Sequence, residues 1–160
     1  MSCSDASFDA METAAVGADQ LEIQLLREGA RAPERSRPGD AGYDLRCLEP
    51  VEIAPGGRAK VPTGVAIALP AGFCGLVVPR SGLASRDGVM PVLGLIDPNF
   101  RGELAVTLLN TGAEPFRADA GDRIAQLLLL PFWAPALAVV DALPPSPDDR
   151  GVSGWGSSGR

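Results

Sequence analysis

The side chains best suited to chemistry in this chain are carboxylates, arginines and one glutamine. Asp97 stands in Gly94-Leu-Ile-Asp-Pro-Asn-Phe-Arg-Gly-Glu103, between an apolar run that reads as a buried strand and a turn built from Pro98 and Asn99, with Phe100 three residues on. A hairpin would aim that carboxylate, and an ionised carboxylate can orient and deprotonate a water. The same residues also describe an ordinary turn aspartate, because Asp and Pro are turn formers. Arg80-Ser81-Gly82 precedes the one segment that reads as a helix, a short one near Leu83 to Arg86 bounded by Gly82 and Gly88. Exposed backbone N–H groups, the Ser81 hydroxyl and the Arg80 fork would suit a phosphate; a capped turn with a surface arginine fits the residues equally well. Gln126 breaks the nearly continuous apolar run from Arg123 to Leu130. An unpaired buried amide costs about 1–3 kcal/mol, so Gln126 either bonds to neighbouring backbone or faces a polar site. In the glycine-rich end, Arg150 and Trp155 lie five residues apart. They offer a cation for an anionic group and a flat face for a planar ring. The segment also reads as a plain flexible tail, and ordering it would require contacts from a ligand.

Composition removes several alternatives. The chain has no histidine, which excludes Ser-His and Cys-His triads and histidine-ligated zinc. What remains is carboxylate chemistry with a hard cation. A net charge of −6 and a pI near 4.6 argue against a general nucleic-acid or anionic-membrane surface. Cys3, Cys47 and Cys74 form no CxxC pair, so neither a disulfide framework nor a zinc knuckle is expected. Thiols of this kind fit a soluble protein of a reducing compartment, cytoplasmic or nuclear. No apolar stretch approaches the length of a membrane span.

The elements that must position these residues are short. With 160 residues, 46% hydrophobic, one domain with a sound core is expected. The 19 glycines and 15 prolines fall between apolar runs and punctuate many short strands. Residues 1–20 read as a tail. Leu21 to Leu26 reads as a first strand, with Ile23 and Leu25 alternating with Glu22 and Gln24. A loop with four arginines, Arg27 to Asp40, leads into Ala41-Gly42-Tyr43-Asp44-Leu45. Val51 to Ile53, Ala59 to Val61, Val65 to Leu69 and Phe73 to Val78 follow as strands, and Leu104, Val106 and Leu108 alternate as another. Such spacing predicts an all-β sandwich or jelly roll. After Asp141 a Pro-rich linker leads to the glycine-rich end. The domain reading is therefore residues 1–20, 21–140 and 141–160.

Taken in order, Ala-Gly-Tyr-Asp-Leu (41–45), Pro-Arg-Ser-Gly-Leu-Ala (79–84), Gly-Leu-Ile-Asp-Pro-Asn-Phe-Arg-Gly-Glu (94–103), Gly-Asp-Arg-Ile-Ala-Gln-Leu (121–127) and Arg-Gly-Val-Ser-Gly-Trp-Gly-Ser-Ser-Gly (150–159) resemble the five motifs of the trimeric dUTPases. One motif could arise by chance; five in order over residues 21–159 make a specific match.

The resemblance implies a jelly-roll-like β fold with one short helix and a flexible C-terminal arm. It implies a homotrimer with active sites shared between subunits, and Mg²⁺-dependent hydrolysis of dUTP to dUMP and pyrophosphate, which keeps uracil out of DNA and supplies dUMP for thymidylate synthesis. Asp97 is similar to the family's general base, which activates the water attacking the α-phosphate. Gln126 matches the amide near that water. Asp44 resembles the acid that holds a water of the Mg²⁺ shell, the ion itself bridging the substrate phosphates. Arg80, Ser81 and Gly82 match the triphosphate motif. Backbone groups of Gly94, Leu95 and Ile96, with Ala105, would read the uracil edge. Phe100 falls where the family usually has tyrosine under the deoxyribose; the ring is kept and the phenol hydroxyl is lost. Arg150 matches the arginine on the γ-phosphate. Trp155 stands where phenylalanine commonly stacks on uracil, with Gly156 giving it room. The related dCTP deaminases share the fold and the bound metal and triphosphate, but they need a glutamate for proton transfer at cytosine and lack a tail of the 150–159 type.

Overall fold

The structure, a computed structural model, describes residues 20–147. Among them the chain forms eleven strands: β1 Glu22–Leu25, β2 Tyr43–Arg46, β3 Val51–Ile53, β4 Arg58–Val61, β5 Val65–Ala68, β6 Phe73–Val78, β7 Val89–Pro91, β8 Gly94–Ile96, β9 Val106–Asn110, β10 Phe116–Ala118 and β11 Arg123–Pro131. All named pairings are antiparallel. A four-stranded sheet runs β2-β11-β6-β8 and a three-stranded one β4-β9-β7, with two-stranded ladders β1-β5 and β10-β3. This is the all-β, jelly-roll-like architecture that the strand spacing predicts.

Period-2 patterning explains how these pieces close on one core. In β9, Val106, Leu108 and Asn110 point inward while Thr107 and Leu109 stand between them, half-buried. Leu45, Val77, Ile124, Ala125 and Leu127 from the larger sheet meet Val61, Val89, Val106 and Leu108 from the smaller one, with Ile53, Val65, Ile67 and Ala118 filling the ends. Fully burying an aliphatic side chain contributes about 1.5–3 kcal/mol, so this cluster is the main stabilising element. Gly75 in β6 lets the sheet close, since a Cβ there would lie 3.0 Å from Leu127 Cδ1 and 3.2 Å from Ile96 Cβ.

Several expectations need correction. The run before Asp97 forms β8, but it is an edge strand with Leu95 61% exposed, not a buried one. In β1 both faces are exposed, so the alternation of Ile23 and Leu25 does not mark a core face in the single chain. Val65, Ala66 and Ile67 are all buried, so the strand expected over Val65 to Leu69, here β5, is covered on both sides. The helix is a single turn of π type, Leu83–Asp87, closed by Gly88 in the left-handed region (φ 66°). β7 and β10 are too short to show a period in sequence, and pairing with β9 and β3 creates them; β2 is set by its pairing with β11. No helix among the described residues is long and apolar enough to cross a membrane. Beyond Pro131 the chain is exposed through residue 147, carrying Trp133, Leu137, Val139 and Leu143 at the surface.

Candidate active site

The larger sheet sets two candidate side chains in one row, with a third just beyond it. Gln126 of β11 lies opposite Asp44 of β2 on one side and Val78 of β6 on the other. Two residues past Val78 the chain turns out of the sheet at Arg80, whose Nε donates to Asp44 Oδ1 at 3.1 Å. Asp44 is only 2% exposed, and its carboxylate accepts three hydrogen bonds from protein donors. Oδ2 accepts from Ser36 Oγ at 2.9 Å and from Arg123 Nη1 at 3.1 Å. Arg123 Nη1 also donates to Ser36 Oγ at 2.8 Å, and Arg80 Nη1 reaches the Arg123 carbonyl at 3.3 Å. Burial pushes the Asp44 carboxyl up, but the hydrogen bonds from Ser36 and Arg123 and the charges of Arg80 and Arg123 outweigh it and hold the group below its ordinary 3.8. Asp44 is thus an ionised anchor for two guanidinium groups.

Neighbouring backbone shapes this node. The turn after Arg80 is held by Ala84 N–H to Arg80 O (3.0 Å) and by Ser85 Oγ to Ser81 O (2.6 Å). Ser81 and Gly82 are exposed at its start. Gly42, two residues before Asp44, is required by Gln126: a Cβ at Gly42 would lie 3.1 Å from Gln126 Cδ and 3.2 Å from Oε1. No described residue hydrogen-bonds the half-buried Gln126 amide, which leaves it free for a polar ligand rather than tied to backbone.

The Asp97 segment occupies the other end of the sheet. Gly94, Leu95 and Ile96 form β8 and pair with Val77, Leu76 and Gly75 of β6. The turn that follows closes with Phe100 N–H on Asp97 O (3.1 Å), and Arg101 Nη1 clips the carbonyls of Pro98 (2.6 Å) and Phe100 (2.8 Å). Asp97 and Phe100 are both exposed, the ring at 42%. Gly94, Ile96 and Ala105 line a common groove between the two arms of this hairpin, with Lys60 and Thr107 at its side. Extending the register places Asp97 opposite Cys74, six residues along β6 from Arg80. At about 3.3 Å per residue that is roughly 20 Å. One chain therefore unites Asp44, Arg80 and Gln126, and separately gathers Gly94, Ile96 and Ala105 in one groove, with Asp97 and Phe100 on the turn beyond it and Asp97 out of reach of Arg80. Arg150, Trp155 and Gly156 lie outside the described residues.

Two residues of the arginine node escape a linear reading: Ser36 and Arg123. Arg123 is 79 positions from its carboxylate partner and Ser36 is 87 from Arg123, so only tertiary pairing reveals them. Among the described residues no three carboxylate or thiol groups cluster as a metal cage.

Comparison with known proteins shows the family. The dUTPase family model matches residues 28–159. The deoxyuridine 5'-triphosphate nucleotidohydrolase of Tropheryma whipplei (strain Twist) is 45% identical over 143 residues, covering 88% of this chain and 97% of that protein. The same enzyme of Leifsonia xyli subsp. xyli is 46% identical over 144 residues, covering 88% and 92%. Among solved structures, the dUTPase of Staphylococcus bacteriophage 80alpha with dUpNHpp superposes with a TM-score of 0.84 at 32% identity, covering 89% of this chain and all of that one. A point mutant of the dUTPase from phage phi11 of S. aureus, whose structure is described as revealing the coordination of a structural Mg(II) ion, gives 0.74 at 31% identity over 78% of this chain and 98% of that one. The chain belongs to the dUTPase family, the dUTP diphosphatases that hydrolyse dUTP to dUMP and pyrophosphate.

Proposed function

We propose that turnover here proceeds by in-line attack of a water on the α-phosphate, with Asp97 as the base that orients and deprotonates it. The observation that carries this reading is the placement of Asp97 on a turn clipped at both ends, exposed and away from any partner acid. Such a carboxylate is open to a water and held in place by its turn, as a general base must be. Gln126, with its unengaged amide, contacts the α-phosphate and the attacking water. Arg80, Ser81 and Gly82 grip the triphosphate, with Arg80 held by Asp44 through Nε and by the Arg123 carbonyl through Nη1, which leaves Nη2 for a phosphate. Backbone groups of Gly94, Leu95 and Ile96, with Ala105, read the uracil edge, and Phe100 packs under the deoxyribose. Arg150, Trp155 and Gly156 belong to the arm (residues 141–160) that closes over the nucleotide, beside a core of residues 21–140. Catalysis is then positioning and charge neutralisation with no covalent intermediate.

The roughly 20 Å between Asp97 and Arg80 within one chain supports a homotrimer in which each site is completed by neighbouring copies. Mg²⁺ fits the donor set in one way only. Asp44 already accepts three hydrogen bonds, and a carboxylate has about four lone-pair sites, so one remains. Asp44 would therefore help to hold the ion through a water rather than directly, together with the substrate phosphates. The ion, when bound, would neutralise phosphate charge. The product dUMP would serve thymidylate synthesis, and removal of dUTP would keep uracil out of DNA, in a cytoplasmic or nuclear setting.

The test is pyrophosphate release from dUTP, UTP, dCTP and dTTP by the wild type and by Asp97→Asn. Turnover of dUTP that is abolished by EDTA and restored by Mg²⁺, and lost in Asp97→Asn while dUTP binding persists, is expected. An unchanged rate in that variant removes Asp97 from the mechanism. Ammonia from dCTP would point instead to deamination.

A further inference from the structure

The Asp97 turn has two anchors, and only one of them belongs to the sheet that carries it. On its entry side β8 is paired to β6. On its exit side the chain passes Gly102 and reaches Glu103, which is not in a strand. The Glu103 Oε1 accepts from the Gly64 N–H at 2.7 Å and from Arg27 Nη2 at 2.5 Å. The next residue is locked to the same place: Leu104 N–H donates to Val65 O at 2.7 Å, and Thr63 Oγ1 donates to Leu104 O at 2.6 Å. The Thr63–Gly64 turn is itself rigid. Gly64 has a φ of +71°, its carbonyl accepts from Leu26 N–H at 2.8 Å, and a Cβ there would meet Ala30 Cβ at 2.7 Å.

Phe100 depends on that exit anchor. Its ring folds over Gly102 so closely that a Cβ on Gly102 would lie 2.7 Å from Phe100 Cζ. The position of Gly102 is set by its neighbour Glu103. A displacement of Glu103 therefore moves the floor on which the Phe100 ring rests, and with it the short turn back to Asp97.

We propose that Glu103 is a positioning residue: by clamping the exit of the turn to Gly64 and Arg27 it sets the Phe100 ring against the sugar and the Asp97 carboxylate against the water. This rests on the roles given above to Phe100 and Asp97. Burial alone would push the Glu103 carboxyl up, but the bonds from Gly64 and Arg27 hold it below its ordinary 4.5, so the clamp is charged at neutral pH.

The test compares Glu103→Ala, Glu103→Gln and Glu103→Asp with wild type and Asp97→Asn, measuring kcat and KM for dUTP and for UTP together with thermal unfolding. Misplacement by about 1 Å can cost about a hundredfold in rate, so Glu103→Ala is expected to lower kcat for dUTP about tenfold or more and to erode the dUTP preference over UTP by a similar factor. Glu103→Gln keeps an acceptor for Gly64 N–H and is expected to recover most of both. A wild-type kcat and selectivity in Glu103→Ala, however much its melting temperature falls, overturns the proposal, as does a Glu103→Gln no better than the alanine variant. If the alanine variant fails to fold, Glu103→Asp decides, because it keeps the charge but is one methylene too short to reach Gly64. Weakened selectivity there supports the clamp and unaltered selectivity overturns it. Turnover retained in Asp97→Asn alongside lost selectivity in Glu103→Ala would sink the role of Asp97 and leave the link from Glu103 to Phe100 standing.

Discussion

Removing the Asp44 carboxylate gives the sharpest test of how the arginine node is built. In Asp44→Ala, Arg80 Nε, Arg123 Nη1 and Ser36 Oγ lose their shared acceptor. Hydrogen bonds to charged groups contribute about 1.5–3 kcal/mol each. The two arginine side chains are 24% and 40% exposed, so water reaches them after the change and the lower end applies. Two bonds at about 1.5 kcal/mol and the Ser36 bond at about 0.5–1 kcal/mol give a loss near 3.5–4 kcal/mol. Release of the desolvation penalty of a carboxylate that is 2% exposed offsets part of this, leaving about 2–3 kcal/mol. Asp44→Asn should lose a similar amount, because its amide NH₂ must face one of the arginines, donor against donor. The assay is equilibrium urea unfolding at one fixed protomer concentration, since any assembly adds its own linkage. The pH dependence has a definite sign. The Asp44 carboxyl is held below its ordinary 3.8, so its contribution is fully present above about that pH and is lost as pH falls through the lower folded value. The gap between wild type and Asp44→Asn should hold from neutrality down to about pH 4 and close below it. A variant within about 0.5 kcal/mol of wild type at neutral pH, or a gap that widens on acidification, would refute the reasoning.

Three further outcomes follow from named contacts. Gly42→Ala drives a methyl into the Gln126 side chain, so kcat should fall about tenfold with little change in melting temperature; steady-state kinetics beside a thermal melt separates the two. Asn110→Ala leaves Ile53 O, Glu114 O and Gly112 N–H without their partner at a fully buried position, and should destabilise by about 3–5 kcal/mol in urea unfolding with kinetics of the folded fraction retained. Deleting residues 150–160 should cripple dUTP turnover without shifting the melt of the β core; persistent activity would show that the arm is not part of the site.

Much of this protein is legible in its sequence because local chemistry speaks for itself. Pro-Gly punctuation marks short strands, the absence of histidine removes whole classes of catalysis, and five motifs in order carry the family and its reaction. Longer apolar strands bounded by turn residues, such as β6 and β11, are readable for the same reason. β7 and β10 are not: these short strands exist because β9 and β3 lie beside them, and no period can be read from so few residues. The run before Asp97 looks buried by composition, yet β8 is a sheet edge, and edge or centre is decided by pairing order alone. The same holds at the site. Sequence supplied Asp44, Arg80, Gln126 and Asp97, each from a motif of its own. Only tertiary structure tied Asp44 to Arg123 and Ser36, turned Glu103 into a clamp on Gly64, and set Asp97 at the far end of β6 from Arg80. Those facts depend on strand register across contacts between residues far apart in the chain, and no local pattern records register.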